Sequence, residues 1–341
     1  GYDAAEEMGE LEALRRRAYD VGGVELANPD GSRQAMLRYD LMRKALDGRV
    51  FSLLRGDIET VLYEALPENV EIRFNTTVER IVTVDGGVEV ILSDGTPASA
   101  DLLVGADGIH SETRAALFGP EEGFVTDLGF RTAAYVFRSE GVARAVDDNF
   151  VMVSVPDRQV GIYGLRDGGV TAFLIWRSDA ELVDVRRQLK DEFGDMGWIV
   201  PEVLGGIPDN AGLYADIAGQ VTMPRWHRGR ALLLGDAAFA VSLLAGQGAS
   251  LAIGGAHALG RALDEHDSIE AALAAYEARV RPEVEKKQAA GRRTAKWFVP
   301  ATRFHVWLRA LVFNLSSIPL LSRVIESFVA TSPKGVFSAR G

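Results

Sequence analysis

The feature that constrains this chain most is a short apolar run, Ala231-Leu232-Leu233-Leu234, which stops at Gly235-Asp236 and is followed by Gly246-Gln247-Gly248-Ala249-Ser250. Apolar residues in a row, without alternation, fit a strand covered on both faces, as in a parallel sheet between helices. Ligands of open α/β sheets sit beyond the carboxyl ends of the strands, so Asp236 is placed to accept hydrogen bonds from ribose or ribityl hydroxyls. Gly246 and Gly248 let a ligand approach the backbone closely and expose its N–H groups. The small residues from Ala249 to Gly255 open a helix whose positive end points at the same place. Together these residues predict a site for a polyol joined to an anion, as in a nucleotide cofactor.

A second block repeats the logic. Asp101-Leu102-Leu103-Val104-Gly105-Ala106-Asp107-Gly108-Ile109-His110-Ser111-Glu112-Thr113-Arg114 reads as an apolar strand that ends in Gly-x-Asp-Gly and opens a helix capped by Ser111. Asp107 and Gly108 then lie next to a cofactor phosphate or ribose. A carboxylate beside a phosphate is unfavourable, so Asp107 is expected to order the loop and an arginine while backbone N–H groups meet the anion. On its own the block also reads as a tight turn with a helix cap.

In this order the two blocks resemble the flavin-binding motifs of the FAD-dependent class A monooxygenases, the aromatic-hydroxylase type that includes para-hydroxybenzoate hydroxylase and the tetracycline-inactivating enzymes. The resemblance runs over nearly the whole chain. It implies that Asp236, after Gly235, holds the ribityl chain of FAD. Gly246, Gln247, Gly248, Ala249 and Ser250 would lie along the pyrophosphate and the pyrimidine edge of the flavin. Asp107, Gly108 and Arg114 would serve FAD and NADPH (or NADH), and Val78 would lend backbone contacts to the adenine. Arg55, on sequence alone a surface arginine near a helix start, becomes a contact to FAD. Family members carry prolines between Asp236 and the glycine loop; here Val241-Ser242-Leu243-Leu244 stands instead, which predicts a less rigid loop. The flavin would carry the chemistry, with NAD(P)H as reductant and O2 forming a C4a-hydroperoxide that hydroxylates a small, largely apolar substrate, aromatic or polyketide-like. No protein residue is then required as catalytic acid or nucleophile. No Gly-x-Gly-x-x-Gly turn occurs in the sequence, so the expected fold is α/β, an FAD-binding Rossmann-like three-layer fold with its first βαβ unit absent. An alternative follows from that gap: a non-catalytic or partner-dependent binding protein that does not hold FAD tightly.

The expected organisation places the first part of the FAD-binding domain at 1–125 and an antiparallel substrate sheet at 126–215. The second FAD-binding part follows at 216–285, with C-terminal bridging helices over 286–341. Within it, 1–20 reads as one amphipathic helix, with Ala4, Met8, Leu11, Leu14 and Ala18 on one side. Val24 to Leu37 reads as a hairpin turning at Asn28-Pro29-Asp30-Gly31. Asp57 reads as the N-cap of a helix over Ile58 to Leu66, and Tyr39 and Arg43 as scaffold. Glu71 to Phe74 and Val78 to Thr83 read as strands, and Asp85-Gly86-Gly87 turns the chain into Val88 to Leu92. Four alternating segments, 131–138, 149–155, 159–165 and 170–176, read as half-buried antiparallel strands, and Phe150, Met152, Tyr163, Phe173 and Trp176 are their candidate substrate contacts. Helices are expected over 179–193 and 268–287. The apolar stretch from Trp297 to Val329, broken at Pro300 and Pro319, is expected to bridge the domains.

Composition narrows the alternatives. Of the 341 residues, 47% are apolar and 25% charged, as in ordinary globular chains. A net charge of -11 argues against a nucleic-acid partner. The chain has no cysteine, so it forms no disulfide and no thiolate metal site, and its five histidines show no metal-ligand spacing. No apolar stretch has the length of a transmembrane segment, and a cytoplasmic location is expected. Gly248-Ala249-Ser250-Leu251-Ala252 is close to a hydrolase nucleophile elbow, but the strand ends at Leu234, too early to present Ser250.

Overall fold

The computed structural model describes residues 1–316 except 85, 210, 211, 244 and 245. Asp85 of the predicted turn, Leu244 and Ala245 of the glycine loop, and the apolar stretch beyond Ser316 lie outside the described residues.

Gly9 adopts φ +85°, a left-handed backbone that residues with a Cβ resist. It divides the opening helix predicted over 1–20 into α1 (Tyr2–Glu7) and α2 (Leu11–Arg17). Ala4, Leu11 and Leu14 are buried, whereas Met8 at the break is exposed. The predicted hairpin is present as β1 (Gly23–Ala27) and β2 (Arg33–Arg38), turning through Asn28 to Gly31. After α3 (Tyr39–Ala45), α4 spans Arg55–Glu64. Asp57 is therefore not the N-cap: Leu54 takes that position, and Asp57 lies in the first turn, where its charge complements the helix dipole.

Three strands, β3 (Val78–Val84), β4 (Gly87–Leu92) and β5 (Pro97–Ala100), form a separate antiparallel sheet. The strand predicted over Glu71 to Phe74 does not form, and Ile72 and Phe74 are exposed. The two motif strands are β6 (Leu103–Gly105), which leads into α5 (Glu112–Phe118), and a second strand reached much later in the chain.

Between them lies the larger sheet. Its members are β7 (Val125–Arg138), then α6 (Glu140–Val146), β8 (Phe150–Val155), β9 (Arg158–Gly164) and β10 (Gly169–Arg177). Helices α7 (Val185–Phe193) and α8 (Val200–Gly205) precede β11 (Tyr214–Val221). The seven strands run in the order β11-β7-β10-β9-β8-β1-β2, antiparallel except where β1 joins β8. The hairpin that the sequence assigned to the first flavin-binding part thus completes the antiparallel sheet, because Val24 to Ala27 pair with Phe150 to Val153.

Side chains alternate across a strand, so this sheet has two faces with different fates. Ala172, Leu174 and Trp176 point into a core with Leu189, Phe193, Val200 and Val203 of α7 and α8. Thr171 and Phe173 point the other way. Trp176 is 2% exposed and packs edge-on against Phe193, with ring centroids 5.9 Å apart. This corrects its place among the substrate contacts. It lies one residue out of phase with Phe173 and belongs to the helix-covered side.

The chain then forms β12 (His227–Arg228), β13 (Ala231–Leu233), α9 (Asp236–Phe239) and α10 (Gly248–Glu265). β13 and β6 are parallel neighbours in a small sheet ordered β12-β13-β6. A second core gathers Leu232, Leu233, Trp226, Phe239 and Tyr276 beneath them. Helix α11 (Ile269–Phe298) runs well past the predicted end at Lys287 and carries Pro282 inside it. Pro300 follows its end, and α12 (Arg303–Ser316) lays Ala310 and Phe313 against Leu26, Ala35 and Met152. The described part of the bridging stretch therefore packs on the open face of the antiparallel sheet. No helix among the described residues is long and apolar enough to cross a membrane.

The assignment of Trp176 to the core has a direct test. Trp176→Ala should lower unfolding free energy by about 3–5 kcal/mol in chemical denaturation, through lost burial and the cavity left behind. It should leave ligand binding at the other face of the sheet unchanged in the variant that remains folded.

Candidate cofactor site at two parallel strand ends

The register of β6 and β13 decides where the motifs meet. Leu103 pairs with Ala231, Val104 with Leu232 and Gly105 with Leu233, and the Leu234 N–H donates to the Gly105 carbonyl at 2.8 Å. Both strands therefore stop at the same level. Asp107-Gly108 and Gly235-Asp236, 129 positions apart in the chain counting Asp107 to Asp236, emerge side by side. Gly105 itself has a packing role: a Cβ there would lie 2.5 Å from Thr113 Cγ2, so only glycine lets α5 close on the strand.

At the first end, Asp107 does what a carboxylate in this place was expected to do, through different partners. Its Oδ1 accepts from Ser111 Oγ at 2.5 Å and its Oδ2 from the Thr113 N–H at 2.9 Å. Burial raises its pKa, but these donors outweigh that and hold it below the usual carboxylate range. Ser111 Oγ in turn accepts the Arg114 N–H at 2.9 Å and caps α5. Gly108 has φ +80° with open space where a Cβ would stand.

Arg114 departs from its expected place. It is fully buried, and its guanidinium donates to Ala237 O at 3.1 Å, Ile109 O at 2.7 Å and Glu121 Oε2 at 3.2 Å. As folded here it cannot touch a ligand in the cleft. It ties the Asp107 loop to the turn after Asp236 and is a positioning residue.

At the second end, Gly235 (φ +62°) turns the chain so that Asp236 opens α9. The Asp236 carboxylate is half-buried and finds no hydrogen-bond donor among the described residues. Burial pushes its pKa above the usual carboxylate value, and the nearby positive charge of Arg55 works against the shift. Arg55, the first residue of α4, is exposed and so faces Asp236 electrostatically across the groove. Gly246 (φ +62°) has open space around its Cβ position. A Cβ on Gly248 would meet only Asp236, 3.7 Å from Oδ1, and would stand in the groove. Helix α10 begins at Gly248 with no side-chain cap, and Ala249 and Ser250 in its first turn are exposed. Its first N–H groups are therefore available to an anion. An acceptor without a donor, a cradle that a Cβ would fill and an uncapped helix end fit a polyol linked to a phosphate. Ser250 sits within this helix turn, which is not the strand-end elbow of a hydrolase.

Several supporting residues carry no sequence signal. Lys287 of α11 donates to Gln247 Oε1 at 2.5 Å and so pins a loop side chain from behind. Gln288 Nε2 donates to the carbonyls of Val221 at 2.6 Å and Ala240 at 3.3 Å. Gln220 Nε2 donates to those of Val241 and Gln288, both at 3.1 Å. These two buried glutamines hold the start of the segment that lacks prolines, and Ser242 takes φ +94° there. Val78 stands apart, half-buried at the start of β3 in the separate sheet.

On the antiparallel sheet, cross-strand registers place Met152, Gly161 and Phe173 in one row and Tyr163 opposite Thr171. The Phe150 ring covers Gly161, where a Cβ would lie 2.7 Å from its Cζ, and meets Tyr163 edge-on with ring centroids 6.0 Å apart. Phe150, Met152, Tyr163 and Phe173 therefore share a face. The same registers add Tyr214, paired with Ala134 and 48% exposed, which sequence reading missed. Burial and Asp216 push its hydroxyl pKa up to about 12, with Arg55 opposing, so Tyr214 lies within electrostatic reach of the Arg55–Asp236 groove. Two cavities, of about 770 Å³ beside Arg228 and Arg281 and about 480 Å³ beneath Trp307, include none of these strand-end residues.

The family described as FAD binding domain matches residues 5–198 and 208–289. An uncharacterised protein of Mycobacterium tuberculosis is 30% identical over 305 residues, 84% of this chain and 78% of that protein. A flavin-dependent monooxygenase of an unknown prokaryotic organism is 30% identical over 251 residues, 70% of this chain and 63% of that enzyme. Among solved structures, tetracycline destructase Tet(51) superposes with a TM-score of 0.75 at 26% identity, over 93% of this chain and 85% of that one. HpxO of Klebsiella pneumoniae with FAD and uric acid gives a TM-score of 0.80 at 19% identity, over 98% and 86%, and so shares the Rossmann-like fold. The chain belongs to the FAD-binding-domain family of class A flavin-dependent monooxygenases.

Proposed function

We propose that FAD lies in the groove between the β6 and β13 ends and the open face of the antiparallel sheet. There the protein uses NADPH or NADH and O2 to hydroxylate a small, largely apolar, ring-bearing substrate. In this reading residues 1–125, apart from the hairpin at 23–38 that joins the antiparallel sheet, and 216–285 hold the cofactor, 126–215 the substrate, and the described C-terminal residues from 286 bridge them. The observation that carries the proposal is the donorless carboxylate of Asp236, set beside Gly248 at the uncapped start of α10. Asp236 would accept a ribityl hydroxyl, the α10 N–H groups and Arg55 would meet the pyrophosphate, and Gly108 would let the backbone approach. Bound there, reduced flavin would supply the oxygen-activating chemistry.

The chain's own part is placement and the exclusion of water. Phe150, Tyr163 and Phe173, half-buried on the face opposite α7 and α8, offer apolar rings that suit a planar apolar molecule, while Met152 on the same face is covered by Ala310 of α12 and serves as support. The likeness to the tetracycline destructase Tet(51) supports a ring-bearing substrate class. The uncapped α10 end would stabilise negative charge on the reduced cofactor.

One observation favours a second reading. Among the described residues strand β6 has a hydrogen-bonded neighbour on one side only, and Val104 on it is 37% exposed. An open apolar sheet edge is an association surface. In this reading FAD is held tightly only when another polypeptide segment covers that edge.

Asp236→Ala should weaken FAD binding by roughly tenfold or more, the loss of a charged hydrogen-bond acceptor, read by fluorescence quenching of FAD titrated with protein. Gly248→Val should block the groove and reduce binding at least as far; wild-type affinity in either variant would place the cofactor elsewhere. Because the Asp236 pKa is raised, its ionised form is lost on acidification earlier than an ordinary carboxylate's. Wild-type FAD affinity should therefore fall as pH drops towards that pKa, and Asp236→Asn should abolish this acid limb.

A further inference from the structure

The loop after Gly108 reaches across to the antiparallel sheet at His110. Both ring nitrogens of His110 are engaged by carboxylates. Nδ1 lies 3.0 and 3.1 Å from the two oxygens of Glu121, and Nε2 lies 2.9 Å from Asp216 Oδ1. Asp216 is in β11; its Oδ2 accepts from the Tyr214 hydroxyl at 3.0 Å, and its Oδ1 also accepts from the Ile217 N–H at 2.7 Å. One residue earlier, Ile109 packs on the same strand so closely that a Cβ on Gly219 would lie 2.6 Å from its Cδ1. The strand is bulged between Ile217 and Gly219, where it receives this loop.

Building on the cofactor assignment above, we propose that His110 and Asp216 are positioning residues that clamp the Asp107–Gly108 loop onto β11, and that the clamp holds only while the imidazole is doubly protonated. A neutral imidazole donates from one nitrogen and accepts at the other. Two carboxylates, one at each nitrogen, are satisfied together only by imidazolium. When the proton leaves, one contact becomes a repulsion between a lone pair and a carboxylate, and the loop is released from either the 3-10 turn at Glu121–Gly123 or from β11. Because Ile109 and His110 directly follow Gly108, that release moves the backbone which the cofactor would meet.

The charged groups around the ring are consistent with this. Glu121 is shared with Arg114 of α5, Asp216 is shared with Tyr214, and Asp107 is committed to Ser111 and Thr113. Burial pushes the His110 pKa down, but Asp216 and then Glu121 outweigh it and leave it above the ordinary 6.5. A raised histidine pKa means that the clamp is complete below 6.5 and is lost as pH rises through the higher folded value.

The test titrates FAD into the full chain across pH 6 to 9. Wild-type Kd should rise by roughly three- to tenfold towards the alkaline end, the scale of losing one partly exposed charged contact. His110→Gln, which carries no titrating proton, should bind FAD with a nearly flat profile set at the weaker level; His266→Gln, a distant histidine, should keep the wild-type slope. In the unaltered protein, NMR of the imidazole nitrogens should show both protonated at pH 6.5, with a pKa that falls in Asp216→Asn. A flat wild-type profile, a slope that survives in His110→Gln, or a pKa indifferent to Asp216→Asn would overturn the clamp alone. No FAD binding at any pH would overturn the cofactor assignment and this inference with it.

Discussion

The in-register parallel pairing of β6 with β13 is the constraint from which the site follows. Each strand supplies only three residues, yet their common end sets two loops, drawn from opposite halves of the chain, at one level. Everything beyond that level is stabilised by side chains that bridge the loops. Arg114 bridges the two loops directly. A guanidinium removed wholly from water would be costly without partners, and it finds two backbone carbonyls, one from each loop, with Glu121 as counter-charge. The cost of burying it makes the arrangement specific, because either loop moving away would leave a buried charge unsatisfied.

Within that frame the polar groups divide by whether they are spent. Asp107, Ser111 and Arg114 are engaged with each other and with backbone, and they build the loop. Asp236 and the first turn of α10 are unspent, and Gly246, whose N–H already donates to the Leu243 carbonyl, leaves open space beside them. The contrast between the two aspartates is visible in their electrostatics: donors pull Asp107 down, while burial without donors leaves Asp236 raised. A carboxylate held in that condition gains most from a hydroxyl-bearing ligand. The same division separates the faces of the antiparallel sheet. One face is sealed by α7 and α8, and the other keeps Phe150, Tyr163 and Phe173 half-exposed beside Tyr214.

Both motif strands, the antiparallel insertion and the hairpin were legible in the sequence because each is signalled locally, by an apolar run ending in glycine or by alternation ending in a turn. What was not legible depends on phase or on distance. Trp176 has the right composition for a ring-lined pocket, but one residue of phase sends it to the helix-covered core. The burial of Arg114 depends on a carbonyl 123 positions away. Gln220 and Gln288 hold the chain at Val241 and Ala240 through bonds that span 21 and 48 positions. The His110–Asp216 contact spans 106. The single helix expected over 1–20 failed for a local reason, since apolar periodicity continues through Gly9 while its backbone does not.

The central claim is that two strand ends and the α10 start form a flavin site, and the absorbance spectrum of the purified chain titrated with FAD addresses it directly. The account predicts saturable binding of one FAD per chain, with a spectrum resolved and shifted from that of free flavin as the isoalloxazine leaves water. A spectrum that stays that of free FAD at saturating protein would contradict it.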